Sequence, residues 1–138
     1  MIIQESPYIS ITHRCNENLI EVQWKPASLQ MDAEAYQATL LDLITIAEQH
    51  QPKKWLGDTR LFFFQISPEL QHWTVQKFNI PLKNIGVEKM AILVTQKIHE
   101  TFVQYSQQDY SSFPSSETQY EYFKDKEEAM DWLTTSQN

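Results

Sequence analysis

The chain has 138 residues, of which 41% are hydrophobic and 21% are charged, and this size and composition predict one folded domain over residues 1–138. Eleven Lys and Arg against 18 Asp and Glu give a formal net charge of -7, the wrong sign for binding the phosphate backbone of a nucleic acid. Only two glycines, Gly57 and Gly86, occur, which excludes the glycine-rich loops of nucleotide-binding sites.

Cysteine usage and the N-terminal sequence indicate a location. Cys15 is the one cysteine, so an internal disulfide is excluded and a reducing compartment is favoured. Residues 1–5 show no basic segment followed by an apolar run, and no apolar stretch approaches the ~18 residues of a membrane span. We therefore expect a cytoplasmic protein with no integral membrane segment.

The first third of the chain predicts two strands and a helix. Apolar and polar residues alternate over residues 8–12 and 20–24, the pattern of strands with one buried face. Residues 14–18 between them are typical of a hairpin connection. Asp32 is a good N-cap, and apolar residues at three- and four-residue steps predict a helix from there to about residue 49.

The middle of the chain predicts a strand, a helix and a further strand. A short apolar run predicts a strand at residues 53–58. Ser67 can cap a helix that starts directly after it, with Trp73 in the core and Pro81 limiting its length. Five consecutive apolar residues within residues 89–95 predict a strand covered on both faces.

The last third predicts a helix, a strand and a closing helix. Apolar spacing favours a helix over residues 98–105, and residues 109–117 are rich in serine and predict a loop. Residues 118–123 are rich in aromatics and predict a strand. Asp125 can cap a final helix in which Trp132 faces the core.

Together these elements predict the fold class. We expect a single α/β domain with a mixed sheet of about five strands and helices on both faces, in the order β-β-α-β-α-β-α-β-α.

This order of signals resembles the SpoIIAA-like superfamily, which includes the STAS domains and is related by fold to the lipid-binding CRAL-TRIO/SEC14-type modules. The resemblance is carried by Trp24, by Trp-Leu-Gly-Asp-Thr-Arg at residues 55–60, by residues 66–73 and by residues 122–133. It implies a SpoIIAA-like fold and a non-catalytic regulatory or protein-interaction module.

One serine has a role implied by the resemblance. In the anti-sigma-factor antagonists of this superfamily, a serine at the start of the helix after the third strand is phosphorylated to control partner binding, and Ser67 is in that place. The family motif has Asp-Ser with Gly close behind, whereas Ser67 here lies between Ile66 and Pro68. Helix capping is the simpler role for Ser67.

The carboxyl ends of parallel strands predict where a partner or ligand binds. The candidate binding residues lie at two strand ends, in an aromatic run and at helix starts: Asp58, Thr59, Arg60, Phe62, Phe63, Phe64, Ser67, Thr95 and Lys97. Asp58 and Arg60 could bind complementary groups or pair with each other. Three consecutive aromatics cannot all point into one core, so we expect at least one of Phe62, Phe63 and Phe64 at the surface.

Catalytic and metal-binding signatures are absent from the sequence pattern. The four histidines, His13, His50, His72 and His99, are dispersed and lack metal-ligand spacing. No acid, base and nucleophile are brought together by a motif. We expect no metal, no cofactor and no enzymatic activity.

Two functions fit these observations. The first is a regulatory or protein-interaction module with a protein partner. A separate hypothesis is that the protein self-associates as a symmetric homodimer through aromatic surface near the strand ends. The alternative is a small-molecule or lipid-binding domain with an apolar pocket between the sheet and the second helix.

Overall fold

A six-stranded mixed sheet organises the chain. The computed structural model describes residues 2–98 and 119–135. The strands are, in chain order, β1 (Ile2–Glu5), β2 (Ile9–Arg14), β3 (Leu19–Trp24), β4 (Lys54–Asp58), β5 (Lys89–Leu93) and β6 (Gln119–Phe123). Their order in the sheet is the same as in the chain. β1, β2 and β3 pair antiparallel, and β3 to β6 pair parallel, so the carboxyl ends of four strands meet along one edge, the carboxyl rim.

Four α-helices lie wholly within the described part of the chain. They are α1 (Ala33–His50), α2 (Pro68–Thr74), α3 (Ile80–Ile85) and α4 (Lys126–Thr134). A π-helical segment, Val75–Asn79, joins α2 to α3, and short 3-10 turns occupy Cys15–Glu17 and Pro26–Gln30.

The starts of the long helix and of the last helix follow from local chemistry. An Asp32 side-chain oxygen accepts the Ala35 backbone N–H at 2.8 Å, as predicted for an N-cap. Asp125 accepts the N–H of Glu128 at 3.2 Å in the same way. At its other end α1 stops where Gln51 takes a left-handed conformation with φ 48°.

Apolar side chains cover both faces of the sheet. On the first face, β3 and β4 contribute Ile20, Val22 and Trp55, which pack against α1 and the α2 to α3 segment. On the second face, Leu56 and other strand residues pack against Leu133 of α4. Successive residues of a strand face opposite sides of the sheet, and here the residues on both sides are buried. This explains why β5 is apolar almost throughout.

The expected count of five strands is wrong, because the chain begins with an additional strand. β1 pairs antiparallel with β2, and its register shifts between Ile2 and Gln4. Residues 2–5 read as two apolar residues followed by two polar ones, so they lack the alternation by which a strand is recognised. The observed order opens β-β-β-α-β-α rather than β-β-α.

Pro81 does not end the second helical stretch, contrary to expectation. The chain continues through the π-helical segment Val75–Asn79 into α3, where Pro81 lies in the first turn, and α3 ends at Gly86 with φ 118°. A proline ring collides with the carbonyl four residues before it in a regular α-helix. The wider π turn just before Pro81 relieves that collision.

Two tryptophans expected in the core are only half-buried. Trp73 packs at the margin of the first apolar cluster and Trp132 at the margin of the second. Each lies on the inner stripe of its helix, but the large indole extends past the sheet to solvent. The predicted third helix at residues 98–105 and the predicted loop at residues 109–117 lie outside the described residues, except that Ile98 belongs to a helical turn starting at Gln96.

Candidate interaction surface at the carboxyl rim

Asp58 and Arg60 lie together at the end of β4 and satisfy each other. The Arg60 side chain donates to both carboxylate oxygens of Asp58, from Nε at 3.0 Å and from Nη2 at 2.9 Å, and the Arg60 backbone N–H donates at 3.1 Å. Asp58 is buried. The hydrogen bond to Asp58 raises the pKa of the Arg60 guanidinium above its usual value. Of the two predicted roles, mutual pairing is the one observed.

Thr59 joins the ends of two parallel strands. Its backbone N–H and its hydroxyl both donate to the carbonyl oxygen of Leu93 in β5, at 2.9 Å and 2.7 Å. The side chain is buried. Thr59 therefore fixes where the chain leaves the sheet, and its polar atoms are directed at the protein itself.

Ser28 holds the loop that follows β4. Its hydroxyl donates to the Leu61 carbonyl at 3.2 Å and accepts the Phe63 N–H at 2.9 Å. Ser28 is fully buried in the 3-10 turn Pro26–Gln30. One hydroxyl thus satisfies a donor and an acceptor of an irregular segment, which ties residues 61–63 to the turn between β3 and α1.

Phe62 and Phe64 point inward from this loop. The Phe62 ring lies edge-on to Trp24 with ring centroids 4.7 Å apart, and the Phe64 ring stacks on Tyr36 at 5.1 Å. The Trp73 ring of α2 also lies near Tyr36, with ring centroids 6.3 Å apart. These separations are those of favourable aromatic pairs. Phe62, Phe64 and Trp73 therefore form an aromatic cluster around Tyr36.

Phe63 points the other way, since successive side chains of an extended segment alternate in direction. It is 43% exposed, and Leu61, two residues earlier, is 41% exposed. Leu29 directly follows Ser28 and is 67% exposed. Ser28 hydrogen-bonds to this loop, so the backbone at Leu29 lies next to the segment that carries Leu61 and Phe63. We call Leu29, Leu61 and Phe63 the apolar ridge.

Tyr36 contacts the inward rings of the loop, Phe62 and Phe64, and is held by a hydrogen bond. Thr74 uses its one hydroxyl hydrogen to donate to the Leu70 carbonyl at 2.7 Å. The Tyr36 hydroxyl, 2.7 Å from the Thr74 oxygen, must therefore be the donor to it. Burial raises the pKa of Tyr36 to about 12. The phenol stays neutral at physiological pH and acts as a structural donor.

Ser67 and Thr95 cap helical turns at the rim. The Ser67 hydroxyl accepts the Leu70 N–H at 3.2 Å at the start of α2. The Thr95 hydroxyl accepts the Ile98 N–H at 3.2 Å. Lys97 is exposed in the turn that Thr95 caps. Ser67 therefore lies where the loop after β4 meets α2, while Thr95 and Lys97 lie just after β5.

The cap geometry of Ser67 predicts a stability effect. We expect Ser67→Ala to lower the free energy of unfolding by about 1 kcal/mol, because an N–H of the first helical turn loses its acceptor. Ser67→Asp keeps an acceptor and should remain near wild type. Urea unfolding of the three proteins measures both changes. Equal stability of the alanine variant and wild type would remove the capping role.

A second polar cluster lies at the end of the sheet opposite the carboxyl rim. The His13 and His50 ring centroids are 4.4 Å apart, and Cys15 Sγ lies 3.4 Å from His13 Nδ1. Burial, together with the nearby His50, lowers the pKa of His13 below its ordinary value of 6.5. The sequence placed these histidines in separate elements, and only the fold brings them together.

The lowered pKa of His13 predicts an acid-dependent loss of stability. The unfolded chain takes up a proton at His13 near pH 6.5, whereas the folded chain resists it until a lower pH. The stabilising contribution is thus complete above pH 6.5 and is lost as the pH falls through the folded pKa. Between pH 7.5 and about 5.5, the thermal midpoint should fall further in wild type than in His13→Gln. Parallel curves for the two proteins would contradict this.

Three features are absent from the part of the chain that the structure describes. Within residues 2–98 and 119–135, no group of three or more His, Cys, Asp or Glu side chains is arranged to hold a metal ion. The same residues contain no buried side-chain nitrogen or oxygen without a hydrogen-bond partner. In the part of the chain that the structure describes, no helix is both long enough and apolar enough to cross a membrane.

Comparison with known proteins finds no match among protein families, curated proteins or solved structures. Membership of the SpoIIAA-like superfamily therefore stays a prediction.

Sequence reasoning missed Ser28, Leu29 and Leu61. Ser28 carries no motif, because its two partners lie 33 and 35 residues along the chain. Leu29 lies within a proline-containing turn and Leu61 opens the aromatic run, and a leucine in either place is more often buried. The exposure of both leucines depends on how the loop after β4 packs against the turn Pro26–Gln30.

Proposed function

We propose that this protein is a non-catalytic interaction module of the SpoIIAA and STAS type, and that the apolar ridge binds a protein partner. The observation that carries the proposal is that neighbouring phenylalanines of the aromatic run point in opposite directions. Phe62 is buried against Trp24, while Phe63 is 43% exposed from a loop that Ser28 anchors on both sides.

The hydrogen bonds of Ser28 hold Phe63 at the surface of the loop. An extended loop could have turned Phe63 inward by a shift of one residue, but the two Ser28 hydrogen bonds hold the observed register. Large apolar side chains grouped at a surface mark interaction sites more often than chance exposure does. Aromatic residues in particular supply much of the binding energy at protein interfaces.

The polar rim residues support a binding role rather than catalysis. Asp58, Thr59 and Ser67 each direct their polar atoms at the protein itself. A catalytic group needs a free lone pair or proton within reach of a substrate. The packed rings beside Tyr36 likewise favour a partner surface over a pocket for a small ligand.

The test is capture of a partner from extract of the native source, followed by binding measurements with that partner purified. The baits are wild type, the double variant Leu61→Ser/Phe63→Ser, and Leu41→Ser as the matched control. Leu41 is 48% exposed on the outer side of α1. We expect the double variant to bind at least about tenfold more weakly and the control to bind like wild type.

Two results would overturn the proposal. One is a partner that binds the double variant as tightly as wild type. The other is the absence of any stoichiometric partner on wild type beyond those on the double variant. Circular dichroism and thermal unfolding of all three baits establish that they are folded.

A further inference from the structure

Charged side chains near the apolar ridge include two cations that are held in ion pairs. Lys25 and Arg60, which lie next to the turn and in the loop, are each paired with an acid: Lys25 with Glu5 at 3.1 Å, and Arg60 with Asp58 at 2.9 Å. Their charges are offset locally.

Three exposed acids flank the ridge from the starts of two helices. Asp32 and Glu34 begin α1, and Glu69 lies in the first turn of α2. Within residues 2–98 and 119–135 none of the three forms an ion pair. Asp32 caps α1 through one carboxylate oxygen.

The covalent chain and the ring contacts keep these acids close to the ridge. Asp32 is three residues from Leu29, which limits their separation to about 11 Å. Tyr36, one helical turn after Asp32, contacts the rings of both Phe62 and Phe64. On the other side Trp73, one turn after Glu69, lies 6.3 Å from Tyr36. The first turns of both helices therefore lie beside the loop.

From this arrangement we propose that the partner segment recognised by the ridge is cationic and apolar, with leucine-like side chains flanked by lysine or arginine. The inference rests on the proposed function and names the chemistry of its partner. Apolar side chains fill the ridge, and the basic residues meet Asp32, Glu34 and Glu69. The net charge of -7 of the whole chain adds long-range attraction for such a segment.

The same charges disfavour other occupants. A second copy of this chain docked ridge to ridge about a two-fold axis would bring the three acids of both copies into one interface. A membrane surface rich in anionic lipids would be repelled by these acids. A cationic partner segment alone gains from both the apolar and the acidic parts of the surface.

The probe is a synthetic helical peptide of about 18 residues, five turns, with leucines on one face and lysines on the other. Two matched peptides carry glutamate in place of lysine or serine in place of leucine. Binding to the full chain is followed by calorimetry at low and at physiological salt. We expect saturable one-to-one binding of the Leu/Lys peptide only, weakening as salt is added.

Protein variants locate the binding. Phe63→Ser and the double variant Glu34→Gln/Glu69→Gln should each weaken the Leu/Lys peptide by about tenfold. The matched controls are Leu41→Ser and Glu48→Gln/Glu127→Gln, which remove an exposed apolar group and two exposed acids elsewhere. Both controls should bind within about twofold of wild type.

The outcomes separate this inference from the proposed function. Equal weakening by both acidic double variants would show attraction by net charge alone and overturn the inference. Phe63-dependent binding of the Leu/Glu peptide would also overturn it, while leaving the ridge as an interface. If wild type dimerises with concentration and Phe63→Ser does not, the occupant of the ridge is a second copy and not a cationic segment. If wild type floats with phosphatidylserine vesicles, the occupant is a membrane.

Discussion

Replacing Phe62 with alanine will destabilise the protein by about 3 kcal/mol or more, whereas the same change at Phe63 will cost within about 0.5 kcal/mol. Phe62 is 7% exposed, and its ring contacts Trp24, Tyr36 and Phe64 with centroid separations of 4.7 to 6.3 Å. Phe63 is its neighbour in sequence and has the same side chain, but it is 43% exposed. The pair is therefore a matched comparison of a packing role with a surface role.

Urea unfolding followed by tryptophan fluorescence measures both changes. Trp24 adjoins the Phe62 ring and reports on the same region. Similar losses for the two variants would mean that Phe63 also packs in the folded state. The ridge would then be part of the core and would not be available to a partner.

Lys89→Met will be the second large effect, a loss of about 2 to 3 kcal/mol. Lys89 is 7% exposed, and its Nζ donates to the carbonyls of Trp132 at 2.8 Å and Thr135 at 3.2 Å. The ammonium also lies 5.0 Å from the centre of the Trp132 ring. Methionine keeps the apolar stem of lysine but removes the donor, so the carbonyls at the end of α4 lose their partner.

The control for this variant is Lys77→Met on the exposed side of the π-helical segment. It removes a lysine without touching α4 and should change stability by less than about 0.5 kcal/mol. Hydrogen exchange should also become faster across α4 in Lys89→Met. An α4 with unchanged protection, or equal losses in both variants, would remove the role assigned to Lys89.

Features that depend on a few consecutive residues were predictable from the sequence. Asp32, Ser67 and Asp125 each accept a backbone N–H at the helix start where the sequence placed them. A cap needs only a side-chain oxygen at the right offset from the first turn, so the tertiary structure adds little to it. The alternating pattern of β3 and the apolar run of β5 were recognisable for the same reason.

Features that depend on distant residues were not predictable. β1 forms because β2 offers its free edge, and residues 2–5 contain no pattern of their own. Pro81 is accommodated by a change of helix type that precedes it. At the candidate site, the aromatic run predicted that a phenylalanine would be exposed. Which one is exposed depends on Ser28, more than thirty residues away along the chain.

The binding surface itself can be mapped by hydrogen-exchange mass spectrometry of the full chain, alone and saturated with the purified partner captured by wild type. If the apolar ridge is the interface, exchange will slow in residues 26–30 and 59–66, and in the first turn of α1, while β1 and α4 stay unchanged. Unchanged exchange in residues 59–66, with slowing confined to the β1 edge or to α4, would contradict the assignment of the ridge as the interaction site.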